Sequence, residues 1–291
     1  MTIDYCRNRS KFWLKVYEEA EYTNIVSNSM VRSLINNHIP ELVNCGPTGW
    51  KPSQNYDDVY TLWIPYNRLN ESTYEEFKEW ANHSSSHIWL GTNKNTRDCF
   101  RGDELDYCLA SDWNVDLDSR KRTIIGEAEY QLKYNFPKHI ISREVAKQYS
   151  NELASSVLSC IECLPFCFQE FYVSAIPAVK ENQRKLAWQL ARHISKVIGA
   201  PFVEATLLSA KPQMKELAIE EKIRIWRSIY SDGSSLILPY SLQGKDVLVI
   251  DDLYQSGASV WCYAEYLKDY CGARSVIAIS SVKALKDGDN T

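Results

Sequence analysis

The C-terminal part of the chain alternates short apolar runs with amphipathic stretches. Apolar runs of strand length occur at 171–177, 201–208, 246–251 and 275–282, and helical patterns occur at 143–164, 181–200, 211–235 (a loop and helix) and 258–273. Continuous apolar strands separated by amphipathic helices are typical of a parallel sheet covered by helices. The pattern predicts an α/β fold for residues 119–291.

The N-terminal part, residues 1–118, mixes helical and strand patterns. They predict a helical start over 10–38, strands at 59–66 and 87–91, and a helix at 72–80 that Ser72 would cap. This mixture predicts an α+β domain, and the polar, charge-dense stretch 111–122 predicts the boundary after it. Six of the nine tryptophans lie in the first 113 residues, where they form either a core or an aromatic binding surface.

Composition and charge indicate an ordinary globular protein. The 291 residues are 45% hydrophobic and 24% charged, with a net charge of −4. Acidic residues outnumber basic ones in 1–118, which argues against nucleic-acid binding by simple charge attraction there. No apolar run has the length of a membrane span, and the N-terminus lacks the apolar core of a signal peptide. Nine cysteines at irregular spacings favour reduced thiols in the cytoplasm.

The stretch VLVIDDLYQSGAS (247–259) combines a buried strand pattern with two adjacent acids. In open parallel sheets, ligands bind beyond the carboxyl ends of the strands, so Asp251 and Asp252 would face such a site. Carboxylates accept hydrogen bonds from sugar hydroxyls or hold a hydrated Mg²⁺. The acid pair therefore predicts contacts to a ribose, a metal ion, or both.

The loop after the acid pair has the features of a phosphate site. It leads into a helix N-terminus, where N–H groups and the helix dipole attract an anion. Gly257 lets the backbone approach a ligand closely, and Ser256 and Ser259 supply hydroxyl donors. Acids and loop together predict a ligand that carries a ribose 5-phosphate.

The same stretch resembles the phosphoribosyl pyrophosphate signature of type I phosphoribosyltransferases. Segments 124–135, 176–201 and 210–230 are similar to the ComF-like, competence-protein branch of that superfamily, and the resemblance covers about residues 120–285. It implies the type I phosphoribosyltransferase fold, a parallel sheet flanked by helices, for residues 119–291. The chain departs from the branch in having no Cys-x-x-Cys ribbon at its start.

The resemblance also implies roles for individual residues. Asp251 and Asp252 would be the catalytic pair that holds the ribose hydroxyls and a Mg²⁺ ion bound with the ligand. The residues implied for the 5-phosphate are Gln255, Ser256, Gly257, Ala258 and Ser259. Those implied for the pyrophosphate are Ala178, Val179, Lys180 and Lys211, with Arg184, Lys185 and Arg224 as further cations. Tyr254 and Gln255 depart from the usual pattern, in which threonines are common.

The implied activity is transfer of ribose 5-phosphate from phosphoribosyl pyrophosphate to a base or another nucleophile, with release of pyrophosphate. The alternative is a degenerate domain that senses a phosphoribosyl ligand or a nucleotide. Unlinked domains of this kind are associated with competence and antiphage systems, so the resemblance implies a protein partner. Residues 1–118 would contact that partner or form the hood that recognises the acceptor, and the oligomeric state stays open.

Other residues are of types found in metal or substrate sites. They are Cys160, Cys163 and Cys167; His83, His87, Cys99 and Cys108; and Glu127 with Glu129. The first cysteines lie on an apolar helical pattern, where cysteine packs as a small hydrophobe. Cys99 and Cys108 are too widely spaced for a zinc knuckle. Core packing and a solvated glutamate face are the favoured interpretations.

Overall fold

The computed structural model describes residues 11–92, 96–179, 185–208, 212, 214, 217–231, 236–238 and 241–285. Its contacts divide the chain into two compact units. The first runs to Trp89 and includes Ile161–Phe166; the second comprises Leu90–Cys160 and the chain from Cys167 onward. The boundary predicted at 118–119 falls inside the second unit instead, because Tyr107–Trp113 is a strand of that unit's sheet.

The first unit combines a four-stranded antiparallel sheet with three helices. Its elements are β1 (Leu14–Glu19), β2 (Tyr22–Ser27), α1 (Ser29–His38), α2 (Pro40–Cys45), β3 (Trp50–Pro52), β4 (Tyr60–Pro65), α3 (Glu71–Ser85) and β5 (Ile88–Trp89). The sheet has the order β1-β2-β4-β3. The predicted α+β character of this part is thereby confirmed.

The helix predicted over 10–38 is wrong for most of its length. A hairpin precedes α1, and buried Phe12, Leu14 and Val16 alternate with more exposed neighbours, which is the period of a strand. The apolar spacing also fits a helix at some positions, which explains the error. Only α1 is helical, and it begins after Asn28, whose side chain accepts a hydrogen bond from Val31 N at 2.9 Å.

The second unit contains the α/β part of the chain. Its elements are β6 (Tyr107–Trp113), α4 (Ile124–Tyr130), α5 (Arg143–Glu162, whose end belongs to the first unit), β7 (Tyr172–Ala175), β8 (Ala178–Val179), α6 (Leu186–Ile198), β9 (Thr206–Leu207), α7 (Ile219–Ser231), β10 (Leu236–Ile237), β11 (Asp246–Tyr254), α8 (Ala258–Asp269) and β12 (Ser275–Lys283). Gln131–Asn135 continues α4 as a π-helical turn.

A parallel sheet forms the centre of this unit. Its strands lie in the order β6-β12-β11-β7, and every pair is parallel. α4, α6 and α8 pack on these strands, and α7 packs on α8. The predicted fold class, a parallel sheet flanked by helices, is confirmed. The strand predicted at 201–208 is shorter: it is β9, which pairs with β8 and β10 in a separate small sheet.

The described helices include none that is both long enough and apolar enough to cross a membrane. The eight cysteines within the described ranges are free thiols, as the sequence predicts.

Candidate functional site

Strand β11 is longer than its neighbour β7, and the extra length carries the acid pair. The last residue of β7 that pairs with β11 is Ala175, opposite Ile250. β11 continues to Tyr254, paired over this stretch with β12 on its other side. In the described structure, therefore, no strand pairs with the β7 side of β11 at Asp251 and Asp252. The acids stand at the carboxyl edge of the sheet, as predicted.

The two acids differ in environment. Asp251 is buried, with 9% of its surface exposed, and its Oδ1 accepts a hydrogen bond from Asp252 N at 2.9 Å. Burial, reinforced by the charge of Asp252, raises the pKa of Asp251 well above the usual range of a carboxyl. Asp251 therefore keeps a proton at a pH at which an ordinary aspartate is ionised.

Asp252 is held by a cation from the π-helical turn. Lys133 Nζ lies 2.9 Å from Asp252 Oδ2 and 3.0 Å from Glu129 Oε1. Burial alone would lower the pKa of Lys133, but the charges of Asp252 and Glu129 outweigh it and raise that pKa. Burial raises the pKa of Glu129, and the charge of Lys133 opposes that shift. The network places one fixed positive charge beside the acid pair.

The turn after β11 is shaped by a tyrosine packed behind it. Gly257 has a φ of +83°, and a Cβ at this position would overlap the ring of Tyr254. Tyr254 is 4% exposed, and its hydroxyl accepts a hydrogen bond from Trp261 Nε1 at 3.0 Å. Tyr254 is thus part of the buried support of the turn, which accounts for its departure from the usual pattern.

A buried lysine fixes the same turn from the neighbouring strand. Lys283, the last residue of β12, is 7% exposed, and its Nζ donates to the carbonyl oxygens of Gln255 and Ala284 at 3.0 Å each. The turn leads into α8, whose N-cap residue Gly257 has no side chain to occupy the first N–H groups. Lys283 and the start of α8 together make this end of the turn electropositive.

A cavity of about 600 Å³ lies at this edge of the sheet within the second unit. The two acids, Gln255 and Ser259 contribute one wall. The start of α6 contributes another through Lys185 and Trp188. Because the starts of α6 and α8 both border the cavity, two helix dipoles favour negative charge inside it.

Most predicted site residues lie at or behind this cavity. Ala178 and Val179 line it, as do Asp251, Asp252, Gln255 and Ser259, whereas Ser256, Gly257 and Ala258 are not in its wall. Ser256 and Ala258 are buried, with exposures of 8% and 3%. Lys180, Arg184 and Lys211 fall outside the described residues. Arg224 does not line the cavity: it is exposed on α7 and pairs with Glu221, three residues earlier.

Three residues at the site have no role in the sequence prediction: Lys133, Trp188 and Lys283. Glu129 also lies there, paired with Lys133. The solvated face proposed for Glu129 is wrong, since this residue is only 5% exposed. The Glu129–Lys133 spacing of four residues, typical of a helical ion pair, is a signal present in the sequence. The partnership of Lys133 with Asp252 has no such signal.

The remaining cavity wall is apolar and aromatic. Phe202 packs edge-on against Trp188 with ring centroids 5.7 Å apart, and Pro212 and Met214 also line the cavity. Trp188 Nε1 is buried and has no hydrogen-bond partner among the described residues. A flat apolar ligand group would pack on this wall.

Comparison with known proteins returns similarity in structure alone. No protein-family model matches the chain, and no curated protein matches it. Similar solved structures include a phosphoribosylpyrophosphate synthetase from Mycobacterium smegmatis (14% identity, TM-score 0.26, covering 42% of this chain and 30% of that one). A hypoxanthine phosphoribosyltransferase from Staphylococcus aureus has 14% identity and a TM-score of 0.26, covering 56% of this chain and 69% of that one. An adenine phosphoribosyltransferase from Thermoanaerobacter pseudethanolicus has 14% identity and a TM-score of 0.31, covering 50% and 85%. The last two are phosphoribosyltransferases by name.

Proposed function

We propose that the second unit binds phosphoribosyl pyrophosphate with Mg²⁺ and transfers its ribose 5-phosphate to a nucleophile. One observation carries the proposal: a single cavity joins the acid pair of β11 to the loop and helix start that follow it. A ribose 5-phosphate has hydroxyls and a phosphate at matching ends. The resemblance of 247–259 to the phosphoribosyl pyrophosphate signature supports the same ligand.

In this proposal each part of the ligand has its own set of contacts. The 5-phosphate would accept hydrogen bonds at the start of α8, from the N–H groups and Ser259. The ribose hydroxyls would bond to Asp251 and Asp252. The pyrophosphate would lie toward Ala178 and Lys185, where the start of α6 supplies positive potential.

The donor set suits a magnesium ion. Two adjacent carboxylates offer the oxygen ligands that Mg²⁺ prefers, and a bound cation would favour loss of the proton that Asp251 retains. Asp251 and Asp252 would hold the ion, and it would neutralise charge on the departing pyrophosphate.

The reaction is a displacement at C1 of the ribose. The nucleophile's lone pair forms the new bond to C1 while the C1–oxygen bond breaks, and pyrophosphate leaves with that electron pair. The protein's contribution is to orient the two reactants and to complement the charge that moves. Lys133 would hold Asp252 in place beside the ribose, and Lys185 would lie where the pyrophosphate charge develops.

The aromatic wall favours a heterocyclic base as the acceptor. Trp188 and Phe202 offer an apolar aromatic surface against which a ring would pack. Membership of the ComF-like branch, with its link to competence and antiphage systems and a protein partner, is part of the proposal. It rests on segments 124–135, 176–201 and 210–230.

A sensor that binds without turnover is the second candidate. Asp252 is paired with Lys133, and Gln255 stands where a threonine hydroxyl is common in the phosphate loop. Both features are compatible with ligand binding. They leave fewer free carboxylate oxygens and hydroxyl groups to take part in the reaction.

Calorimetry with phosphoribosyl pyrophosphate and Mg²⁺, followed by a pyrophosphate-release assay over candidate bases, tests the proposal. We expect binding, and release with one class of base. Asp251→Asn combined with Asp252→Asn should abolish binding, whereas Asp246→Asn, at the amino end of the same strand, should not. Binding without release identifies the sensor. Absence of binding by the wild type, or undiminished binding by the double variant, would overturn both candidates.

A further inference from the structure

Two histidines and a cysteine come together inside the first unit, away from the acid pair in sequence. His83 and His87 stand four residues apart at the end of α3, and Cys163 lies in the segment Ile161–Phe166. Their ligand atoms, one from each residue, all lie within 4.8 Å of one another. The cysteines that the sequence grouped with these histidines, Cys99 and Cys108, belong to the second unit instead.

The cluster sits at a buried contact between α3 and this segment. Cys163 is completely buried and His87 is 5% exposed. On the same face of α3, Trp80 Nε1 donates to the carbonyl oxygen of Cys163 at 3.2 Å. The backbone of the segment is therefore held against the helix, which keeps the Cys163 thiol close to the two imidazoles.

The separation of the ligand atoms is close to that of a metal site. Zinc bonds of about 2.0–2.3 Å in a tetrahedron put neighbouring ligand atoms about 3.3–3.8 Å apart. A contraction of about 1 Å, within reach of side-chain rotation, would bring the three atoms to that spacing. Two imidazoles and a thiolate are a ligand set that zinc accepts.

A fourth ligand is at hand. Glu162 Oε2 lies 3.8 Å from His83 Nε2, and the Glu162 side chain is 71% exposed, so it is able to move. His83 is the most exposed of the three cluster residues, with 36% of its side chain accessible. The open side of the cluster therefore has both a carboxylate and a path for an ion from solvent.

We propose that His83, His87 and Cys163 bind one Zn²⁺ ion, with Glu162 or water in the fourth position. The ion would fasten the segment Ile161–Phe166 to the end of α3 within the first unit. Zinc would bind the Cys163 sulfur as a thiolate and displace the proton of the thiol. With Glu162 in the fourth position the site would be structural in character, since all four ligands would come from the protein and two of the three cluster residues, His87 and Cys163, are buried.

Titration of the EDTA-treated full-length protein with Co²⁺, a spectroscopic substitute for zinc, tests the site. We expect one Co²⁺ per chain, a thiolate-to-metal charge-transfer band, tetrahedral visible bands, and loss of all of these when Zn²⁺ is added. Zn²⁺ should also raise the unfolding temperature. Cys163→Ala should lose the charge-transfer band, and His87→Gln should weaken Co²⁺ binding more than about 100-fold, since even changes around a ligand cost about 10–100-fold.

Matched variants separate the site from adventitious binding and from misfolding. Cys167→Ser, an exposed thiol four residues further on, should leave the spectrum unchanged. His83→Gln changes the most exposed ligand and keeps the test open if Cys163→Ala does not fold. A wild-type titration without a charge-transfer band would overturn the proposal, and so would the same band and affinity in Cys163→Ala or His83→Gln.

Discussion

The ammonium group of Lys133 lies 2.9 Å from Oδ2 of Asp252, although 119 positions separate the two residues along the chain. This contact places a fixed positive charge beside the less buried acid of the pair. Burial and the charge of Asp252 raise the pKa of Asp251, so Asp251 keeps its proton at a pH at which an ordinary aspartate is ionised. The wall of the cavity therefore presents a hydrogen-bond donor, the Asp251 carboxyl, next to the Asp252–Lys133 ion pair.

Removing the cation should destabilise the second unit. Lys133→Met would leave Asp252 and Glu129 without their shared partner, and breaking a largely buried pair costs about 3 kcal/mol or more. We expect the free energy of unfolding, measured by urea titration, to fall by about that amount. Lys138→Met, an exposed lysine nearby, should stay within about 0.5 kcal/mol of the wild type. Equal stability of the two variants would show that the ion pairs contribute nothing.

The raised pKa of Asp251 should make stability depend on pH in a particular direction. A carboxyl with a raised pKa stabilises the folded state below its unfolded pKa, and that contribution is lost as pH rises through the folded pKa, about 8 here. Relative to Asp251→Asn, the wild type should lose at least about 1.4 kcal/mol of unfolding free energy between pH 5 and pH 8, the equivalent of one pKa unit. Urea titrations at the two pH values measure this difference.

Asp116 provides a control of opposite sign. The backbone N–H of Ser119 lowers the pKa of Asp116, so its contribution to stability is lost as pH falls through that lowered pKa. Asp116→Asn should therefore change the pH profile only on the acid side. Parallel profiles for wild type and Asp251→Asn would contradict the assignment of a retained proton to Asp251.

The turn at Gly257 should tolerate no side chain. Gly244→Ala supplies the comparison, since Gly244 has a φ of +68° but open space around a Cβ. That substitution should cost about 1 kcal/mol for the left-handed backbone alone. Gly257→Ala adds overlap with the ring of Tyr254 and should cost about 2 kcal/mol more, measured by thermal and urea unfolding. Equal losses of unfolding free energy in the two variants would mean that the Tyr254 ring moves aside without an energetic cost.

Lys283 should matter for anion binding as well as for the turn. Lys283→Met removes the donor to the carbonyl of Gln255 and a buried positive charge below the phosphate loop. We expect inorganic phosphate to bind at least about tenfold more weakly, the equivalent of about 1.4 kcal/mol, in NMR titrations. Lys245→Met, an exposed lysine just before β11, should bind phosphate as the wild type does. Unchanged phosphate affinity in Lys283→Met would show that Lys283 does not contribute to anion binding.

The parts of the site that sequence predicts are those encoded locally. In 247–259, the strand, the acids, the glycine and the hydroxyls follow one another, so residues that are neighbours in sequence are also neighbours in the site. Lys133 and Cys163 illustrate the opposite case. Each meets its partners only because distant helices pack together, and no local pattern specifies which residues will meet.

In the fold, too, locally encoded elements were predictable and elements that depend on distant contacts were not. The α/β alternation was readable because each strand is a continuous apolar run and each helix has its own period. In the hairpin before α1, spacings such as Phe12–Val16 fit a helix as well as a strand. The choice between them is made by pairing with β4, which lies more than thirty residues further along the chain.

The packing of Tyr254 against Gly257 limits which substitutions this loop can accept in evolution. A bulkier residue at 257 requires a smaller one at 254, and a smaller residue at 254 would leave a void beneath the turn and remove the acceptor of the Trp261 hydrogen bond. The three positions should therefore vary together among related sequences, while the exposed Gln255 between them drifts independently. The most variable residue of the loop would then be one that lines the cavity.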